Sequence, residues 1–331
     1  MKKFIINLLI FSILSFSLLL GLDKMVTIGL KNSNAPVYEN LTKIHKRKIN
    51  SNLIINGSSK AIVQVSTYII DSILNVNSYN FGMNGANFEL QHLVNQLYRI
   101  HNPNPDYIIQ IVSHGTFKLN EDLHEYKRFA PYLNDSLVKQ ITKKLNGFSF
   151  ADHHFPFIRY SGFSVEILNG ISNYFGVKLP TDKSSRHNGY IPHNKNWDNS
   201  FDSFKEEYPN GQIINIDSSI VSLFNKYIVD CLRDSIDIIL IYPPTYHESH
   251  KYIKNRGEII SLFESIANKN KIPFLDYSED SLSYSKKYFY NSQHLNKYGA
   301  ELFTEKMCVD IKSRKKEYTE NNGKYNKKKV E

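Results

Sequence analysis

The chain reads as an α/β protein: a parallel sheet between two layers of helices, with a large insertion and an amino-terminal membrane helix. Three observations predict this. Short apolar runs alternate with amphipathic helical patterns on either side of residues 118–211, the rhythm of a parallel sheet with crossover helices. The run Tyr107–Val112 is apolar nearly throughout, as a strand covered on both faces should be. Phe4–Leu22 carries no charge and only Asn7, Ser12, Ser15 and Ser17 as polar side chains, enough to cross a bilayer, which takes about 17–25 residues.

Lys2 and Lys3 precede that apolar run. They place its start on the cytoplasmic side and the rest of the chain outside the cytoplasm, periplasmic or at the cell surface. The run is longer than the apolar core of a signal peptide, about 7–15 residues, and no A-x-A pattern follows it. Residues 1–24 are therefore read as an uncleaved single-pass anchor in preference to a signal peptide. Residues 25–50 are polar and basic with little periodicity and read as a stalk.

From residue 51 the elements follow in order. Leu53–Ile55 is a strand, Lys60 to about Leu74 a helix, Tyr79–Phe81 a strand. Asn87–His101 is a helix with Leu90, Leu93, Val94 and Leu97 on one face, and Tyr107–Val112 a strand. Between about 118 and 211 the rhythm fails in a stretch rich in Asn, His, Phe, Tyr and Lys. It is expected to be a partly helical insertion at the sheet's carboxyl edge that could cover a site. The pattern resumes with a strand at Ile213–Ile216, a helix at Ser218–Arg233, a strand at Ile236–Tyr242 and a long helix from His247 to Asn268. A short strand at Pro273–Leu275 and a helix at Lys297–Lys312 close the domain at 311. Residues 312–331 hold eight basic side chains against three acidic ones with few apolar residues, which predicts a disordered basic tail.

With 331 residues, 41% of them hydrophobic, the chain is long enough to bury a full core without a metal or disulfide staple. Its two cysteines, Cys231 and Cys308, are read as buried thiols. The net charge of +9 lies mostly in the tail and comes with no nucleic-acid-binding motif, so no nucleic-acid partner is expected. No nucleotide-binding glycine pattern occurs, and no cofactor or metal is expected. Asp152, His153, His154, His187 and His193 are read as polar loop residues, because their spacing matches no ligand pattern. Trp197, within Tyr190–Phe204, suits stacking on a sugar or plain packing.

Ligands of open α/β sheets bind at the carboxyl ends of the strands, and three segments fall there. Gly57-Ser58-Ser59-Lys60 follows the first strand, where a helix amino terminus favours developing negative charge near a serine oxygen. Asn80-Phe81-Gly82-Met83-Asn84-Gly85 follows the second. Asn291-Ser292-Gln293-His294-Leu295-Asn296 precedes the final helix and presents a histidine able to act as general base.

Together, and in this order, the three segments resemble blocks I, II and V of the SGNH/GDSL hydrolases. The resemblance covers roughly residues 52–117 and 212–311. It implies a three-layer, flavodoxin-like α/β/α sheet, with Ser59 as nucleophile, His294 as base and Gly85 in the oxyanion hole. Two positions depart from the family pattern. Asn291 stands where an aspartate is expected, so a backbone carbonyl or Asp276, Glu279 or Asp280 could orient the imidazole instead. Val112-Ser113-His114-Gly115 replaces the family's Gly-x-Asn-Asp, leaving Ser113, His114 or a backbone N–H as the substitute donor, or a hole of the Ser59 and Gly85 amides alone. The resemblance, extended to anchored members such as alginate-acetylation and teichoic-acid D-alanylation factors, implies a serine esterase or O-acyltransferase. Its substrate would be an acyl ester of a surface polysaccharide, and its partner an integral membrane O-acyltransferase. The alternative expectation is an inactive relative that binds a glycan or that partner.

Overall fold

The computed structural model describes residues 1–177 and 186–327. Its elements run α1 (Lys2–Lys31), α2 (Pro36–His45), β1 (Leu53–Asn56), α3 (Ser59–Gln64), α4 (Thr67–Leu74), β2 (Ser78–Asn80), α5 (Phe88–His101) and β3 (Tyr107–Ile111). Next come α6 (Ser136–Thr142), α7 (Phe150–His154), α8 (Ser164–Tyr174), α9 (Ser200–Glu207), α10 (Ser218–Arg233), β4 (Asp237–Tyr242), α11 (Arg256–Asn270) and β5 (Phe274–Asp276). The hairpin strands β6 (Phe289–Asn291) and β7 (His294–Leu295) precede α12 (Lys297–Lys327). The chain divides into two compact units: a helical unit of Met1–Ile49, Leu93–Asn102 and Asn120–Lys183, and a sheet unit of Asn50–His92, Pro103–Leu119 and Ser184–Glu331.

The sheet unit holds five parallel strands in the order β2-β1-β3-β4-β5. This doubly wound order is the flavodoxin-like one, with the crevice between β1 and β3 at the point where the winding reverses. Alternate strand residues face opposite ways. Leu53, Ile55, Ile109, Ile111 and Ile241 share a core with Ala61, Ile70, Ala300, Phe303 and Met307 of α3, α4 and α12 and with Val65 between α3 and α4. Phe117, Phe224 and Phe263 pack ring against ring, joining α10 and α11 to the chain after β3. The periodicity of α10 explains its place: Ile220, Phe224, Tyr227, Ile228 and Cys231 are its buried stripe, and Asp217 caps its first turn. Cys231 and Cys308 are both free and buried.

Three elements differ from the sequence reading. The expected helix over 60–74 is two helices, broken at Val65 and Ser66, where the Ser66 amide donates to Thr304 Oγ1 at 3.1 Å. The expected helix from His247 is a short 3-10 segment followed by α11. Ile213–Ile216 is not a strand. Ile213 is exposed, and the Asn255 amide group satisfies both the N–H and the C=O of Ile214 at 2.9 Å, so a side chain does what a neighbouring strand would do. Helical backbone also continues past 312 to Lys327, and residues 328–331 of the expected tail lie outside the described residues.

In the helical unit α1 is exposed from Phe4 through Leu20 except at the half-buried Ser15 and Leu19, and its length and apolarity suffice to cross a membrane. Its final turns are packed. Val26 and Leu30 are fully buried with Tyr38, Ala130, Tyr160 and Phe163. Gly29 meets Gly170 of α8 so closely that a Cβ on Gly29 would lie 1.7 Å from the Gly170 carbonyl oxygen. Asp23 forms a part-buried ion pair with Arg159 and accepts the Phe157 amide at 2.9 Å. Residues 25–45 are thus largely helical, and Pro36 at the first turn of α2 suits a helix start.

Candidate active site

The geometry is built from three short local motifs. Gly57 ends β1 at a point where a Cβ would come within 2.7 Å of Ala61 Cβ and 3.0 Å of Ile111 Cβ, so only glycine lets the chain turn directly into α3, whose first residue is Ser59. After β2, Gly82 presses against that helix: a Cβ there would lie 2.3 Å from Ile62 N. Asn80 fixes the same junction, donating to Ala61 O at 2.7 Å and Val65 O at 3.0 Å while accepting from Gly82 N at 2.8 Å.

The spacing of Asn291 and His294 is that of a tight hairpin. β6 and β7 are antiparallel, Asn291 pairs with His294, and Ser292-Gln293 form the two-residue turn, so the two side chains stand directly opposite each other. Next, Asn296 caps α12 by accepting the Gly299 amide at 3.0 Å. A Cβ at Gly299 would lie 2.2 Å from the Tyr288 carbonyl oxygen, so glycine allows α12 to start against the hairpin. Gln64 Nε2 donates to Gln293 O at 3.2 Å, and Thr304 Oγ1 to Gln64 O at 3.3 Å. These bonds tie the serine helix to the hairpin and to α12.

Ser59 Oγ lies 2.8 Å from His294 Nε2, and His294 Nδ1 lies 3.0 Å from Asn291 Oδ1. The tautomer follows from a third bond. Asn291 Oδ1 also accepts the Gln293 backbone N–H at 3.0 Å, which fixes the oxygen, not the amide nitrogen, on that side. An oxygen can only accept, so Nδ1 carries the proton and Nε2 is left as a base for the Ser59 hydroxyl. Tyr290 stacks on the imidazole with centroids 5.4 Å apart and planes 5° from parallel. Burial holds the His294 pKa down at about 3, and the charges of Lys60 and His193 push the same way, against Asp198. Asp276, Glu279 and Asp280 are engaged elsewhere: Asp276 with Ser278 N, Glu279 with His250, Arg256 and Tyr284, and Asp280 with Leu282 N and Lys306. Orientation of the imidazole therefore falls to Asn291 itself.

Gly85 lies in the turn after β2 with φ +63, the left-handed region that favours glycine. The Ser113 amide donates to Thr116 Oγ1 at 2.8 Å. His114 lines a cavity of about 230 Å³ together with Asn291, His294, Gln212, Ser200 and Phe204, so the later part of the insertion contributes to its wall. Burial lowers the His114 pKa to about 3, followed by the charge of Lys60. Trp197 packs edge-on to Tyr246, with centroids 4.8 Å apart, and Lys286 Nζ sits 4.8 Å from its ring centre. His187 bonds Thr67, His193 lies against Tyr290, and His154 bonds the Phe150 carbonyl.

Two features escaped the sequence reading. Lys60, next to the serine, is buried at 4% exposure with no hydrogen-bond partner for Nζ among the described residues. Desolvation brings its pKa down to about 7, and the ammonium lies 5.7 Å from the Tyr242 ring centre. Its adjacency to Ser59 was the available signal, but a lysine in a helix's first turn ordinarily points to solvent. The second is a relay in which Thr245 Oγ1 lies 2.9 Å from His250 Nε2 and His250 Nδ1 lies 3.2 Å from Glu279 Oε1.

No protein-family model and no curated protein matches the chain. Solved structures similar to it include a Bacteroides fragilis protein described as a "putative acylhydrolase". It is 12% identical with TM-score 0.34, over 78% of this chain and 86% of that one. Another, described as a "putative platelet activating factor from Streptococcus pneumonia", is 11% identical with TM-score 0.37, over 92% and 98%. Likeness at this level says nothing of chemistry, which is read from the site itself.

Proposed function

We propose that this protein is an extracytoplasmic, membrane-anchored serine esterase or O-acyltransferase of the SGNH/GDSL kind, acting on an acyl ester of a surface polysaccharide. The observation that carries the reading is the chain Ser59 Oγ, His294 Nε2, His294 Nδ1, Asn291 Oδ1, with separations of 2.8 and 3.0 Å. This is nucleophile, base and orienting group within hydrogen-bond reach.

In the reaction Ser59 Oγ attacks the ester carbonyl carbon as His294 Nε2 takes the hydroxyl proton. The backbone N–H groups of Ser59 and Gly85, with the His114 ring, are the donors for the tetrahedral oxyanion. Collapse breaks the bond to the alcohol oxygen, which takes the proton from His294 and departs, so that the acyl group stays behind as an ester on Ser59. A water, or a glycan hydroxyl for transfer, then gives its proton to His294 and attacks that ester, and Ser59 regains its proton. A cavity of about 230 Å³ suits a short acyl group better than a fatty chain. Retention of α1 as an anchor is supported by Asp23, Val26 and Leu30, which are built into the helical unit.

A second reading, a weakly active or inactive relative that docks a glycan or an integral O-acyltransferase, is favoured by one feature. Asn291 brings no negative charge to stabilise an imidazolium whose pKa is already low. Fluorophosphonate labelling of the full chain decides between the two. Labelling that disappears in both Ser59→Ala and His294→Ala supports the enzyme; a folded, unlabelled wild type supports the docking protein.

A further inference from the structure

The helical unit contains a convergence of ligand-type side chains that the serine chemistry does not use. His45 is the last residue of α2, His101 the last residue of α5, and Asp135 the N-cap of α6. One ligand atom from each lies within 4.8 Å of the other two. The two imidazoles are 4.6 Å apart between centroids and tilted by 48°. His45 Nε2 is buried with no hydrogen-bond partner among the described residues, an arrangement that costs free energy unless something binds there. Asp135 uses Oδ1 to cap α6, accepting Leu137 N at 2.9 Å and Val138 N at 3.2 Å, a bond that fixes the carboxylate as outer contacts fix a metal ligand.

We propose that His45, His101 and Asp135 bind a divalent transition-metal ion of the zinc class. Two imidazoles and a carboxylate are the borderline donor set that such ions prefer, and three protein ligands leave a coordination position for water. Bonds of about 2.0–2.2 Å hold ligand atoms within about 3–4 Å of one another, so small side-chain rotations bring the three into place. Two of the three helices end at the site with their carbonyl termini, the partially negative end of the helix dipole, while α6 begins there with its positive end, which the Asp135 carboxylate caps. The ring of Tyr132 stacks on His45 at 4.6 Å and its hydroxyl is held by Thr42 at 3.0 Å, which steadies the imidazole. Asn102 Nδ2 bonds Ile44 O at 3.1 Å, so the two histidine-bearing helix ends are already joined without the ion. Lys31, 5.1 Å above the Tyr132 ring, is the positive charge that the ion must tolerate. The bound ion would clamp α2, α5 and α6 at the outer end of the membrane helix.

The test uses the full chain in detergent, free of any polyhistidine tag, stripped with chelator and titrated with zinc(II) by calorimetry and cobalt(II) by visible absorption. The expected result is one equivalent per chain, cobalt d–d bands, and a higher thermal midpoint with metal. His101→Ala and Asp135→Asn should each weaken binding by at least about tenfold, while His154→Ala leaves it unchanged. Asp135→Asn keeps the cap, because asparagine accepts the same two amides, so its loss of binding cannot be ascribed to unfolding of α6. Absence of saturable binding in the wild type, or binding that survives both substitutions, overturns the proposal.

Discussion

The two units of the molecule each assemble polar side chains from distant parts of the chain, but by different means. In the sheet unit Ser59 and His294 come together from segments 235 residues apart, yet each is presented by a local device: a glycine turn into a helix, and a two-residue hairpin. In the helical unit His45, His101 and Asp135 meet at three helix ends, and nothing in the residues around any one of them signals the others. A site made of short motifs carries its geometry in local spacing. A site made of single residues exists only once the helices have packed.

That contrast can be broken or sharpened, beginning with the largest effect. Ser59→Ala should cut hydrolysis of a short acyl ester by about 10⁴–10⁶-fold, as removal of a nucleophile does elsewhere. Zinc binding measured on the same preparation should be unaltered. Loss of both would mean that the two sites are not independent.

Asp23→Ala acts on the other unit. It leaves Arg159, 7% exposed, without its carboxylate; loss of one partner of a fully buried pair costs about 3–5 kcal/mol, which is the upper bound for this part-buried one. Scanning calorimetry should show a lower-temperature transition, while fluorophosphonate labelling of Ser59 persists below it.

Acid should weaken both units, the helical unit through His45, which burial lowers to about 4, and the sheet unit through three histidines. Burial, the first cause in each case, lowers His294 and His114 to about 3 and His250 to about 4, against about 6.5 unfolded. Between those values the unfolded chain binds more protons, so stability present above pH 6.5 is lost as pH falls toward 4. The loss is on the order of 2–3 kcal/mol for each of these groups by pH 4.5, and urea melts at pH 7 and 4.5 measure it.

Two smaller effects probe the base. Asn291→Asp places a carboxylate behind Nδ1 and should raise the His294 pKa and the neutral-pH rate by about tenfold or more, since the reverse change in a serine protease is severe. The acid limb of the rate profile should move to higher pH. Lys60→Met keeps the buried volume and removes the second cause of the low His294 pKa. The same limb should move up less, with a rate change below about tenfold.

The sequence by itself determined the sheet and the order of its strands' chemistry. Its apolar runs, such as Tyr107–Val112, have the period and length of buried parallel strands, and Gly57, Gly82 and Gly299 stand where side chains would clash. The Asn-x-x-His spacing, too, is a hairpin's own dimension. The tertiary structure alone decided the rest. Ile213–Ile216 looked like a strand by composition, but whether a segment joins a sheet depends on which neighbour offers hydrogen bonds, and Asn255 offered them first. Residues 25–45 looked irregular because most of the buried partners of Val26 and Leu30, namely Ala130, Tyr160 and Phe163, lie a hundred or more residues away, beyond the reach of any local periodicity. Lys60 and His45 were unremarkable as letters. Burial is a property of packing, and it is burial that makes an unpartnered ammonium and an unpartnered imidazole nitrogen chemically significant.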